Sequence, residues 1–250
     1  MPSTLVLVRV QAKGGKFIGP DGGFSRVTLR EATLGTVLAQ GDAVGESGQL
    51  LPDFTPMATR QAIVTPTLGR ENVLWLSAAP DQSTAGFTAS LDITTPTLVE
   101  FTAEALMGGK PTGHIATQTM QITPGTDFTT EPGMVLVIPG LIVKVLSAAV
   151  APDGKSVSVT AWVSMMCGCK IDPTLPWHPD EFTVTTTVID PKGDPLPNMP
   201  VTLGYVTTST FATGAQVPLP VSAGTYTITV TAVQQAEGNT GSASITIQVA

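Results

Sequence analysis

Both cysteines of the chain stand in one short run, Val163-Ser-Met-Met-Cys-Gly-Cys-Lys170, and Trp177-His178 follows a few residues later. Thiolate and thioether sulfurs are soft donors that suit Cu(I), while zinc accepts thiolate and imidazole. A copper centre built here would draw on Met165, Met166, Cys167, Cys169 and His178, with Gly168 bending the backbone so that the two thiols converge. Two other readings compete with it. Free cysteine behaves as a small, readily buried hydrophobe, so the run also reads as plain core. A Cys167–Cys169 disulfide would be a redox handle, with difficult geometry because one residue intervenes. If the strand beginning near Ser156 continues regularly, Val157, Val159, Ala161, Val163, Met165, Cys167 and Cys169 share one apolar face and Met166 points the other way, which favours burial.

Other chemistry is sparse. His114 and His178 are the two histidines, and neither lies in a nucleophile or metalloprotease motif. The acids Asp21, Asp42, Asp53, Asp81, Asp127, Asp153 and Asp190 are scattered through turn sequence rather than paired for hydrolysis. Gly14-Gly-Lys-Phe-Ile-Gly19 and Gly108-Gly-Lys110 are glycine-rich, but neither leads into a helix that could cradle phosphate, and both read as turns. Trp75, Trp162 and Trp177 each adjoin apolar strand residues and are expected in the core. The sequence therefore predicts no catalytic set and no resident cofactor, with copper as the alternative.

The elements that would position these residues are strands. In Thr225-Tyr-Thr-Ile-Thr-Val-Thr231, Tyr226, Ile228 and Val230 alternate with threonines, and Ile245, Ile247 and Val249 repeat the pattern. Phe87, Ala89, Leu91 and Ile93 alternate likewise, and Val99, Phe101 and Ala103 follow Pro96, which suggests a hairpin between them. Met134 to Leu146 reads as buried strand on both sides of a turn at Pro139-Gly140 and is too short for a membrane helix. Gln234-Gln-Ala-Glu-Gly238, the best helical spacing, is too short and reads as a loop. The fold class expected is all-β, in tandem antiparallel β-sandwiches.

With 250 residues, two or three modules are expected. Charged residues make up only 12%, and 25 glycines and 21 prolines supply many corners. A net charge of −7 without a basic cluster argues against nucleic acid. The start, Met1-Pro-Ser-Thr-Leu-Val-Leu-Val-Arg9, shows no signal-peptide pattern, and two cysteines are too few for a disulfide framework. Three prolines within Asp172-Pro-Thr-Leu-Pro-Trp-His-Pro179 suggest a stiff connector. The divisions expected are 1–107, a middle β-region 108–172 that could form one body with it, and 173–250.

Three resemblances add to this reading. Residues 181–250 resemble a bacterial immunoglobulin-like or fibronectin-like module through Val201-Thr-Leu203, Val221-Ser-Ala-Gly-Thr-Tyr226 and Gly238-Asn-Thr-Gly241, with Tyr226 placed like a tyrosine-corner residue. The first hundred residues, through Arg26-Val-Thr-Leu-Arg-Glu-Ala-Thr-Leu-Gly-Thr-Val-Leu-Ala39, are similar to transthyretin-like sandwiches in which the middle glycine turns a hairpin. The run from Val157 to Trp177 resembles an uncharacterised group of bacterial proteins with a Met-Met-Cys-Gly-Cys core, except that Lys170 stands where that group carries a proline or small apolar residue. The module type implies a cell-surface or extracellular setting. Weakly charged, threonine-faced sheets leave edge strands poorly defended against pairing. The function expected is structural or interaction work, through protein partners or self-association into a homo-oligomer by strand addition, with copper handling or thiol redox chemistry as the alternative.

Overall fold

Alternating apolar and hydroxyl side chains force strand after strand in this chain. The computed structural model describes residues 3–48, 83–130, 132–219 and 223–249, and among them there are sixteen strands and no α-helix. The protein is all-β. By its internal contacts it divides into two units. The first holds 3–48, 83–140 and Met165–Cys169; the second holds Leu141–Ser164 and 170–249. Trp75, Asp53, Asp81, Val221 and Ser222 lie outside the described residues.

In the first unit, β1 (Thr4–Ala12), β4 (Phe87–Leu91), β7 (Asp127–Phe128) and β8 (Met134–Ile138) form one sheet, with β7 and β8 parallel to β1. The second sheet runs β3 (Val37–Ala43), β2 (Ser25–Glu31), β5 (Thr97–Met107), β6 (Lys110–Ile122), antiparallel throughout. Val6, Val8 and Val10, Val27 and Leu29, and Val99, Phe101 and Ala103 are wholly buried. Each set has the two-residue spacing of one strand face, so the sheets stack on these faces. The β2–β3 hairpin turns at Gly35, whose φ of +74° only glycine adopts without strain, as the sequence predicts. The hairpin expected between Phe87–Ile93 and Val99–Ala103 does not form: β4 pairs with β1 and β5 with β2 and β6. The link through Pro96 carries the chain from one sheet to the other, so both apolar faces serve one core.

β6 ends its sheet. It pairs with β5 from Thr97↔Ile122 to Met107↔Lys110, and no described strand pairs along its other side.

The second unit is one continuous path of strands, β14 (Val217–Pro218), β10 (Ser156–Met165), β13 (Thr210–Thr213), β12 (Val201–Thr207), β11 (Phe182–Ile189), β15 (Gly224–Gln234) and β16 (Asn239–Val249), with β9 (Leu141–Val150) also paired to β10. The path curls back on itself: a Cβ added at Gly241 of β16 would fall 2.2 Å from the carbonyl oxygen of Leu141 in β9. Val157, Val159, Ala161, Val163, Tyr226, Ile228 and Val230 are wholly buried in its core. Full burial of such side chains stabilises by roughly 1.5–3 kcal/mol each. Ile245, expected inside, is 37% exposed, whereas Val249 at the end of β16 is buried.

The division expected at 172/173 differs from the one observed. Thr160, Ala161 and Trp162 of β10 pair with Ala212, Phe211 and Thr210 of β13, so the strand before the cysteines completes the C-terminal sheet. Nor is the proline-rich stretch a free connector. Asp172 Oδ2 accepts from Tyr205 Oη at 3.1 Å and Thr208 Oγ1 at 2.5 Å, and Asp172 Oδ1 accepts from the N–H and hydroxyl of Thr174. Trp177 is buried. Prolines remove donors, but a carboxylate and a tryptophan fasten the segment to its own unit. The Thr208 hydroxyl, then the Thr174 hydroxyl and N–H, hold Asp172 well below the usual carboxylate range.

Candidate functional site

The two cysteines lie on a hairpin tip rather than on a continuing strand. β10 ends at Met165, Gly168 N–H donates to Met165 O at 2.8 Å, and Met165 N–H donates to Cys169 O at 3.1 Å. Gly168 has φ of +79°. This is a three-residue hairpin loop closed by a glycine in the left-handed region, and the two-residue alternation stops there. The regular strand face expected for Met165, Cys167 and Cys169 is therefore interrupted after its first member.

A second turn of the first unit cradles this tip. Ala12 N–H donates to Lys16 O and Gly15 N–H to Ala12 O, both at 2.9 Å, making a tight turn just after β1. The backbone then passes through a short 3-10 turn, Pro20–Gly22. Three glycines permit the approach. A Cβ on Gly15 would sit 3.1 Å from Cys167 Sγ, one on Gly22 would sit 2.6 Å from Met166 O, and one on Gly168 would sit 2.3 Å from the backbone of Asp21. Glycines read from sequence as ordinary turn residues thus shape the receptacle of the thiol loop. The signal available beforehand was their number, Gly14, Gly15, Gly19, Gly22 and Gly23 within ten residues; nothing in the sequence tied them to the distant cysteines.

Both sulfurs are free thiols, Cys167 buried and Cys169 half-buried. They hydrogen-bond to each other, and the backbone and charge of Lys16 reach both. Burial opposes ionisation of Cys167, yet the Cys169 thiol and the Lys16 N–H both donate to its sulfur and the nearby ammonium adds to them, so its pKa falls below that of an ordinary thiol. Cys169, as the donor to Cys167, is pushed well above the ordinary value, with burial and the charge on its neighbour acting in the same direction. The Cys169–Cys167 hydrogen bond acts in both directions, favouring the charged form of its acceptor and the neutral form of its donor.

Met165 and Met166 are buried, and the Met166 methyl lies with the His114 ring beside Gly140, where a Cβ would be 2.8 Å from Met166 Cε and 2.4 Å from His114 Nδ1. His114 itself hydrogen-bonds through Nδ1 to Pro139 O at 3.1 Å. His178 belongs to the second unit, where its Nδ1 accepts the Asp180 N–H at 3.3 Å and caps the turn Pro179–Glu181. Among the described residues no group of three His, Cys, Asp or Glu could hold a metal ion. Chemically, the site offers two adjacent thiols, one enclosed and one reachable, beside a cation.

No family model and no curated protein matches the chain. Among solved structures it is similar to the chicken interferon gamma receptor alpha chain, with 11% identity over 99% of this chain and 98% of that one and a TM-score of 0.35. A likeness that loose does not bear on function, and the all-β class rests on the strand pairings themselves. No helix among the described residues is long and apolar enough to cross a membrane.

Proposed function

We propose that this chain is a non-catalytic interaction protein whose first unit joins a second copy of itself by strand addition along β6. The single observation carrying this reading is that no strand among the described residues pairs with the outer edge of β6. Its twelve residues from Pro111 to Ile122 contain no Asp, Glu, Lys or Arg, so the charges that normally block edge pairing are confined to Lys110. Ile115 is 49% exposed on it. Beside the edge, a groove of about 410 Å³ is lined by Gln118 and Met120 of β6 with Asp127, Phe128, Met134 and Val135 of the facing sheet. An identical strand laid antiparallel meets uncharged residues with uncharged residues over Pro111–Ile122, which is why a second copy fits.

Size sets the strength. Thirteen residues at about 3.4 Å each give an edge roughly 44 Å long. Two sheets about 10 Å apart make that edge roughly 450 Å² per partner, which falls in the class of weak, transient interfaces. Association is therefore concentration-dependent and, with Lys110 the one charged residue of the strand, nearly insensitive to salt. Sedimentation velocity over a wide concentration range tests this: a monomer–dimer equilibrium unchanged between low and high salt is expected. A monomer at every concentration, or a dimer that salt dissolves, would overturn it.

A further inference from the structure

The geometry of the hairpin tip points to a second property, independent of the β6 edge: we infer that Cys167 and Cys169 together bind a single cuprous ion in two-coordinate fashion. Three observations carry it. The two sulfurs are already in hydrogen-bonding contact on a tip that Gly168 folds with φ of +79°, so bringing both onto one small ion needs no rearrangement of a strand. Cys167 is enclosed by Gly15 and the turn around it, whereas Cys169 is half-buried, which gives the ion a way in and shields one ligand from solvent. Lys16 supplies positive charge and a backbone N–H at the sulfurs, and a cuprous bis-thiolate carries one net negative charge.

The choice of ion follows from the donor count. Thiolates are soft and select Cu(I), which is satisfied by two of them. Zinc takes four ligands, and no third His, Cys, Asp or Glu joins the pair among the described residues. On binding, two S–H bonds are lost, two S–Cu bonds form, both protons pass to solvent, and the copper stays cuprous, so no oxidant or reductant takes part. Met165, Met166 and His178 are not ligands in this site.

The test is an anaerobic titration of the reduced full chain against a chromophoric Cu(I) chelator, with X-ray absorption on the loaded protein. One equivalent withdrawn from the chelator and two sulfur neighbours around copper are expected. Cys169→Ser, a change at the half-buried position, removes that equivalent, and Lys16→Met weakens it about tenfold. His178→Gln and Met166→Leu leave it unchanged. No competition by the wild-type chain, retention of the equivalent in Cys169→Ser, a histidine nitrogen bound to the metal, or equally tight uptake of Zn(II) would each overturn the assignment. Should Cys169→Ser fail to fold, the stoichiometry and the sulfur count of the wild-type chain still decide it.

Discussion

β6 and β16 are near twins as sequence. Each is the second arm of a long hairpin, each runs for more than ten residues, and each is rich in small and hydroxyl side chains, with β16 and all of β6 after Lys110 free of charge. Their surroundings differ. β16 runs against β9, closely enough that Gly241 has no room for a side chain, while no described strand pairs with the outer edge of β6. The difference shows that a strand's own residues do not state what lies against it; the strand packed on β16 comes from about a hundred residues earlier.

The largest expected effect breaks the close packing of β16 on β9. Gly241→Val drives a branched side chain into the Leu141 carbonyl and should cost about 3 kcal/mol or more, read as a lower thermal midpoint. On the open edge, Thr117→Val should move stability by less than about 0.5 kcal/mol. Next in size is association itself: Ile115→Lys with Thr117→Lys places charge on β6 and should weaken self-association by tenfold or more in sedimentation, without changing the circular dichroism spectrum. Ser244→Lys on β16 sharpens the contrast. It removes the 2.8 Å cross-strand hydrogen bond with Thr229, at a cost of about 0.5 kcal/mol, and should leave sedimentation unaltered.

Smallest is an acid effect confined to the second unit. Because the folded state holds the Asp172 pKa below its unfolded value, the stability it contributes is complete above the unfolded carboxylate pKa of about 3.9 and disappears as pH falls through the lower, folded value. Asp172→Asn should therefore lower the midpoint slightly at neutral pH and make no difference in strong acid; a gap between the two proteins that persists in acid would refute this.

Much of the fold is legible in the residues. The alternation in Thr225–Thr231 gives β15 and its buried face, Gly35 gives the β2–β3 turn, and Pro139-Gly140 gives the break between β8 and β9. Local patterns fix local structure because they depend on neighbours one to four positions away. Partnerships across the chain are not so encoded. A β4–β5 hairpin was available locally, yet β4 took the distant β1, and β5 took the distant β2 beside its neighbour β6. The proline-rich run has the composition of a connector, and only Tyr205 and Thr208, more than thirty residues on, show that Asp172 anchors it. At the thiol site the sequence identifies Cys167, Cys169 and the role of Gly168 in turning the backbone. It does not reveal Lys16 or the glycine receptacle, and it offers His178, whose ring is engaged elsewhere.

The Met165–Cys169 tip belongs to the first unit, although the contiguous part of that unit ends at Gly140. During synthesis, 29 further residues must therefore be added before the receptacle around Gly15 and Gly22 can be filled. At about 5–20 residues per second, a nascent chain passes roughly 1.5–6 s with that hollow vacant. The ribosome thus finishes the amino-terminal body only after it has begun the next one.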